Sequence, residues 1–401
     1  MDLHSGYPFW FIKDGLPFEY PKLDHSIKAD VVILGGGISG ALTAYYLINE
    51  GVDCVVVDAR TIGLGSTCAS TALLQYEIDT PLCRLKDKVG YNNAVRSYRL
   101  CAEAIEKIAR IAEKVKFSTF EFKKSLYYAA YKKDISFLKE EFAIRKKNKF
   151  KVTYLEKEDV EKEYNFSAPA AILSNEGAHL DAYLFTHFLH QYSIKKGLRI
   201  YDRTTISKIL HSKNGVKLRT ENGFRLHAKK LVYATGYEVI NYIDKKIVDL
   251  HSTYAISSEH MNHDTEFWKD GVMIWNTAKP YLYMRTLDNK RILVGGRDEK
   301  FFNPAKRDKL IKQKSMLLAK DFCKLFPGMT LKPEFSWAGT FGSTEDGLPF
   351  IGTYKKLPHS LFALGFGGNG ITFSVVAAEI IADIIKGRSN KNIPLFSFGR
   401  T

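Results

Sequence analysis

The stretch Ala29-Asp30-Val31-Val32-Ile33-Leu34-Gly35-Gly36-Gly37-Ile38-Ser39-Gly40 decides how this chain begins to fold. Val31 to Leu34 is an apolar, largely β-branched run that predicts a buried strand. The three glycines predict a tight loop, and the apolar residues from about Ile38 to Glu50, stopped at Gly51, predict a helix. A second apolar run, Cys54 to Val57, completes a βαβ unit. Gly35, Gly37 and Gly40 match G-x-G-x-x-G where that pattern has a mechanism, after a strand and at the opening of a helix. Gly35 permits the turn, Gly37 lets backbone approach a diphosphate, and Gly40 lets helix and strand pack closely. Backbone amides and the helix dipole then hold the phosphates. Asp58 closes the second strand, the place for a carboxylate that accepts from ribose hydroxyls.

This unit alone suits either NAD or FAD. Downstream, Arg60 and Gly63-Leu64-Gly65-Ser66-Thr67 follow Asp58 at once, where a second small-residue loop can wrap a diphosphate and a flavin; an NAD fold would continue with another helix and strand. Near the other end of the chain, Gly365-Phe366-Gly367-Gly368-Asn369-Gly370 repeats the glycine pattern with no second strand or acid after its helix. It is therefore not another nucleotide unit. It offers a bare helix N-terminus, with unpaired amides and about half a positive charge, suited to a flavin pyrimidine oxygen and to the charge on a reduced ring.

Between these ends, periodicity predicts a long charged amphipathic helix from about Tyr91 to Lys116, an aromatic strand region around Phe117 to Tyr131 and a second charged helix. Asp181 is an N-cap for a helix to about Lys196, stopped by Gly197, with Leu198 to Tyr201 as a buried strand. Ile206 to Leu210, Val216 to Thr220 and Phe224 to Ala228 are short strands joined by Asn214-Gly215 and Asn222-Gly223, both hairpin signals, and Leu231 to Ala234 is a further strand. Residues from about Tyr237 to Phe335 return to strand-rich, aromatic-rich sequence. Leu361 to Leu364 is a strand and Ile371 to Ile385 a helix capped by Gly387.

The chain has 401 residues, 45% of them hydrophobic and 26% charged, which bounds it to a folded globular protein of two or three units. Val31 to Ile48 and Leu361 to Ala382 are nearly free of charge, but their early glycines favour strand, loop and buried helix over a membrane span. The N-terminus has no basic start followed by an apolar stretch, so the expected compartment is the cytoplasm. Five dispersed cysteines without a Cys-x-x-Cys pair suggest reduced thiols and no zinc site. Cys101 shares a helical face with Ala94, Tyr98, Ile105, Ile108, Ala112 and Val115 and is expected in the core. The net charge of +15 raises nucleic acid as a partner, but the densest basic run, Lys139 to Lys151, includes Glu140 and Glu141, lacks interleaved aromatics and reads as a solvated helix.

Taken together, Ala29 to Gly40 with Asp58, Gly65-Ser66-Thr67, Gly177-Ala-His-Leu-Asp181, Ala234-Thr235-Gly236, Thr344-Glu-Asp346-Gly-Leu-Pro349-Phe-Ile-Gly352 and Gly367-Gly368-Asn369-Gly370 resemble the D-amino-acid-oxidase-like family of FAD-dependent oxidoreductases. The resemblance spans nearly the whole chain. It implies an α/β fold with a Rossmann-like FAD-binding domain and β-meander, residues 1–90, 152–236 and 336–401. A substrate domain on an antiparallel or mixed sheet takes residues 91–151 and 237–335. It also implies FAD contacts at Ile38, Ser39, Ala59, Arg60, Ser66, Thr67, Thr71, Ala72, Ile206, Thr235, Gly236 and Gly367 to Ile371. Cys68 lies in the flavin loop without a motif for a covalent bond, and a buried free thiol is expected.

For the reaction, the resemblance implies hydride transfer from the carbon beside an amine nitrogen to flavin N5, imine hydrolysis, and reoxidation by oxygen or another acceptor. The cofactor carries the difficult chemistry, and the protein orients the substrate. In Tyr281-Leu282-Tyr283-Met284-Arg285, strand alternation puts Tyr281, Tyr283 and Arg285 on one face, a wall with a guanidinium for a carboxylate. Arg297 is the rival guanidinium. Tyr76, between Gln75 and Glu77, is a further candidate at the ring, with a buried structural role as its alternative. Tyr254, His179 and Trp337 are left unassigned, and Asp346 beside Gly347 reads as a turn residue. The alternatives are a dehydrogenase with a quinone or protein acceptor, a flavin-bearing protein that acts on or binds RNA, and, with only one dinucleotide unit against it, an NADPH-dependent monooxygenase.

Overall fold

The computed structural model describes residues 2–244, 246–261, 267–287 and 290–400. The strand Ile27–Leu34, the helix Ile38–Asn49 and the strand Cys54–Val57 form the expected βαβ unit. Ile27–Leu34 is flanked in parallel by Cys54–Val57 on one side and Arg225–Tyr233 on the other. A parallel strand covered on both faces explains why Val31 to Leu34 is continuously apolar rather than alternating. Among the described residues, eight strands make this sheet, in the order Phe350–Thr353, Ser360–Leu364, Arg225–Tyr233, Ile27–Leu34, Cys54–Val57, Arg199–Tyr201. Gly215–Thr220 and Ile206–Ser212 extend it antiparallel from Arg225–Tyr233, their turns made by Asn214-Gly215 and Asn222-Gly223.

Ten strands form a second, mixed sheet that runs from His4–Gly6 through Pro333–Ser343, Asp249–Ser258, Arg291–Glu299, Tyr283–Leu287, Met273–Asn276 and Glu121–Tyr128 to Ala170–His179 and Leu73–Gln75, with Val152–Glu156 also on Ala170–His179. The helix Gly370–Ile385 packs between Ile38–Asn49 and Tyr91–Lys114. The segment Gly367–Ile385 is long and apolar enough to cross a membrane by composition, yet two-thirds of it is buried in the protein. Ala94, Tyr98, Cys101, Ile105, Ile108, Ala112 and Val115 are buried together in the same core.

Three expectations need correction. The third meander strand and Leu231 to Ala234 are one strand, Arg225–Tyr233, because pairing along its whole length with Ile27–Leu34 leaves no turn at Lys229-Lys230. The region 237–335 holds a 22-residue helix, Pro304–Leu325. Its signal lies in Asn303, whose side chain accepts from Lys306 N–H, and in Pro304 at the first helical position. His4–Gly6, Leu73–Gln75, Val152–Glu156, Ala170–His179 and Pro333–Ser343 all lie in the larger sheet. Finally, the helix Ile135–Lys147 is not uniformly solvated. Glu141 and Arg145 are buried, Glu141 accepting from the amides of Leu82 and Cys83 at a helix N-terminus and Arg145 bridging Glu141 to Glu77. Each buried charge there is paired.

Candidate functional site

A cavity of about 340 Å³ lies between the sheets and begins at the C-terminal ends of Ile27–Leu34 and Cys54–Val57, where open α/β sheets bind ligands. Gly35, Gly37, Ile38 and Ser39 line one end. Gly35 has φ +103°, and a Cβ on it would sit 2.4 Å from the carbonyl oxygen of Ala234. A Cβ on Gly40 would fall 1.8 Å from the carbonyl oxygen of Gly35. Gly40 stays behind the cleft as the close-packing glycine. Thr67 Oγ1 accepts from the N–H of Ile38 and fills the space a Cβ on Gly37 would need.

Asp58 lines the cleft and is anchored at both oxygens, accepting from Gly36 N–H at 2.7 Å and Arg60 N–H at 2.8 Å. Burial pushes its carboxyl up, against the pull of those two amides. Arg60 makes two hydrogen bonds to Glu238, at 2.9 and 2.6 Å, and both residues line the cleft. Ala59, Gly65, Ser66, Thr71, Ala72, Ile206, Thr235 and Gly236 continue the wall. Ala72 stands at φ +51°, an uncommon conformation for a residue with a Cβ. The segment is held by Trp10 of the N-terminus and by Trp337 of Pro333–Ser343, whose indoles donate to the carbonyls of Ser70 and Ala69.

At the far end Gly367, Gly368, Asn369, Gly370 and Ile371 face Tyr281 and Tyr283. The helix terminus is less bare than its glycines imply, since Asp79 accepts from Gly368 N–H at 2.7 Å and from the Tyr281 hydroxyl at 3.3 Å. Asn369 turns its amide inward, donating to the carbonyls of Gln75 and Glu77. Asp79 keeps an accessible edge, but the surrounding protein raises its carboxyl. Burial likewise raises both tyrosines, and the nearby carboxylates of Asp79 and Asp298 add to it.

Asp298 lines the same chamber because of a bulge. Across from Asp249–Ser258, Ser252 pairs with Glu299 and Tyr254 with Gly296, so Arg297 and Asp298 oppose Thr253 alone. Arg297 takes φ +57° and points out to Asp321, to which it donates twice. Asp298 points in. Such bulges re-aim side chains beside functional clefts. Gly295 makes room on the same strand: a Cβ there would lie 2.3 Å from the Tyr283 ring.

The structure thus brings Tyr281 and Tyr283 to the cleft but not Arg285 or Tyr76. Arg285 does share the face of Tyr283, as alternation requires, but Trp10 covers that part of the sheet. The guanidinium is buried, lies 5.0 Å from the Trp10 ring and donates to the Leu180 carbonyl. Arg297 is held by Asp321. Tyr76 is fully buried, stacked on Phe150 at 4.9 Å and bonded to Ser174, so its structural alternative is the one seen. Tyr254 and Trp337 line the cleft, His179 pairs with Glu121, and Asp346 holds its own turn by accepting from Leu348 N–H. Burial pushes the Cys68 thiol up to about 12. Sequence reasoning missed Asp79, Asp298 and Glu238. Only Asp298 had a signal, the Gly295-Gly296 pair that interrupts an apolar strand.

With this geometry in place, residues 30–384 match the family model for DAO, the FAD dependent oxidoreductases. The chain belongs to that family. It is 22% identical over 406 residues to the gamma-glutamylputrescine oxidoreductase of Escherichia coli K12, covering 96% of this chain and 91% of the relative. It is 24% identical to a D-amino acid dehydrogenase of Neisseria meningitidis, over 90% of this chain and 96% of that one. The crystal structure of glycine oxidase from Geobacillus kaustophilus matches with a TM-score of 0.78 at 18% identity, covering 93% and 99% of the two chains. That likeness is one of fold. As in the rest of the DAO family, the fold is FAD-binding, and this chain's residues fit the group. Ser66 Oγ and Thr235 Oγ1 are buried in or beside the cleft without a hydrogen-bond partner, as acceptor-seeking hydroxyls beside a phosphate-rich ligand would be.

Proposed function

We propose that the protein oxidises a small amine or amino acid at the carbon beside its nitrogen, with FAD bound along the cleft. The observation that carries this is the continuity of the cleft, which joins the glycine loop to a chamber walled by Tyr281, Tyr283 and the Gly367–Ile371 segment. The names of the relatives, which span putrescine derivatives, D-amino acids and glycine, support a nitrogen substrate.

In this proposal the amides of Gly35 to Ser39, with Ser66 and Thr67, hold the diphosphate, and Asp58 takes the ribose. Thr71, Ala72 and Gly367 to Ile371 border the ring, with Ile206, Thr235 and Gly236 along the remainder. FAD, when bound, supplies the two-electron acceptor, later reoxidised by oxygen or another acceptor. The substrate loses two electrons and two protons across its C–N bond, and water hydrolyses the imine to a carbonyl compound and an amine or ammonia. Tyr281, Tyr283 and Trp337 shape the chamber and limit its water.

The test is the visible spectrum of the purified protein, followed anaerobically as amines, D- and L-amino acids and 2-hydroxy acids are added singly. Bleaching of an oxidised-flavin band by a nitrogen compound is the expected result. Bleaching by 2-hydroxy acids alone, or a colourless protein that takes up no FAD, would overturn it. Oxygen uptake against dye reduction then separates oxidase from dehydrogenase.

A further inference from the structure

Resting on that proposal and narrowing it, we infer that the chamber selects a cationic amine without a carboxylate beside the reacting carbon, held by Asp298 at the tyrosine end of the cleft. Three observations lead there. First, among the described residues that line the cleft the basic side chain is Arg60, and Glu238 engages it at the glycine-loop end. The two arginines that the sequence offers for a carboxylate are committed elsewhere, Arg285 beneath Trp10 and Arg297 to Asp321.

Second, the charge that is present has the opposite sign. Asp298 faces the chamber from the bulge, and its Oδ1 is enclosed without a hydrogen-bond partner. Asp79 stands behind Tyr281 and Gly368, and its field reaches Asp298. An enclosed carboxylate oxygen with no partner resists ionisation unless a cation joins it. Lys314 is the basic group near Asp298, and it is already bonded to Glu299 and to the Arg297 carbonyl. An ammonium at Asp298 satisfies its Oδ1 and offsets its charge. A substrate carboxylate in the same place would add a third negative charge.

Third, the aromatic wall suits the same ligand. Tyr281 and Tyr283 lie 5.6 Å apart, and Trp337 closes the side, so an alkylammonium finds both apolar surface and negative ring faces.

The experiment uses two ions of equal shape and opposite charge, tert-butylammonium and trimethylacetate. The carbon beside nitrogen in the first has no hydrogen, so it binds without being oxidised. Each is titrated into the FAD-loaded protein at constant ionic strength, read by perturbation of the flavin spectrum and by calorimetry. The expected result is binding of tert-butylammonium at least tenfold tighter than of trimethylacetate. Asp298→Asn should weaken the cation tenfold or more, and Asp249→Asn, an exposed carboxylate paired with Lys246, should not. Equal or tighter binding of trimethylacetate, no binding of the ammonium, or no loss in Asp298→Asn overturns the inference. Bleaching by amino acids together with such a result would leave the proposed flavin chemistry standing. If the protein takes up no FAD, calorimetry on the protein as isolated still decides between the ions.

Discussion

At the glycine-loop end of the cleft, the surface comes mainly from residues 34–72, in chain order, and it is made of backbone amides, small side chains, the Asp58 carboxylate and the Arg60–Glu238 pair. At the tyrosine end it comes from Tyr281 and Tyr283, the Asp298 bulge, Trp337 and the Gly367–Ile371 segment, which meet only after two sheets have formed. The first end tolerates almost no change in backbone position and little depends on side-chain identity. The second depends on a few charged and aromatic groups aimed by irregular backbone. A ligand common to a family is suited to the first construction, and a substrate that differs among relatives to the second.

The sharpest way to break this contrast is Gly40→Ala. The new Cβ would lie 1.8 Å from the Gly35 carbonyl oxygen, a backbone atom that cannot rotate away. The helix must leave the strand, at a cost of about 3 to 5 kcal/mol. Flavin content of the purified protein should fall to a small fraction and thermal unfolding should come earlier. Normal flavin content would show that close helix–strand packing is not what builds the loop.

The next effect belongs to the other end and has a pH signature. Burial, the largest cause, raises the Asp298 carboxyl from 3.8 to about 6. The folded state therefore holds this proton more tightly than the unfolded chain. The stabilisation is fully present below pH about 4 and is lost as pH rises through about 6. Asp298→Asn removes the titration, so it should gain stability relative to wild type at pH 8, by roughly 3 kcal/mol at most, and show no gain at pH 4. Urea unfolding of both proteins across that range checks the sign. A variant less stable than wild type at pH 8 would mean that the carboxylate already has a partner.

The same division explains what could be read from the chain before folding. The βαβ unit, Asp58, the two hairpins and the Asp181 cap were legible because each depends on neighbours within a few residues. Arg225–Tyr233 was split in two because its pairing with Ile27–Leu34 lies some two hundred residues away in sequence. Arg285 shows the limit most clearly. Alternation placed it correctly on the face of Tyr283, but nothing local foretold that Trp10, from the N-terminus, would cover that face. Asp79 has no sequence signal at all: it matters only because Gly368 and Tyr281 come to it.

The smallest effect tests whether side chains at the glycine-loop end carry any specificity of their own. Thr235 Oγ1 is buried and unpartnered, so it costs the ligand-free protein an unmet hydrogen bond. Thr235→Val keeps the shape and removes the hydroxyl. The apoprotein should be unchanged or slightly more stable, while FAD should bind about 3- to 10-fold more weakly, on the order of 1 kcal/mol. The opposite signs are what matter. A variant that loses apoprotein stability and keeps its FAD affinity would make Thr235 a packing residue, and the hold on the cofactor would then rest on backbone amides and Asp58 alone.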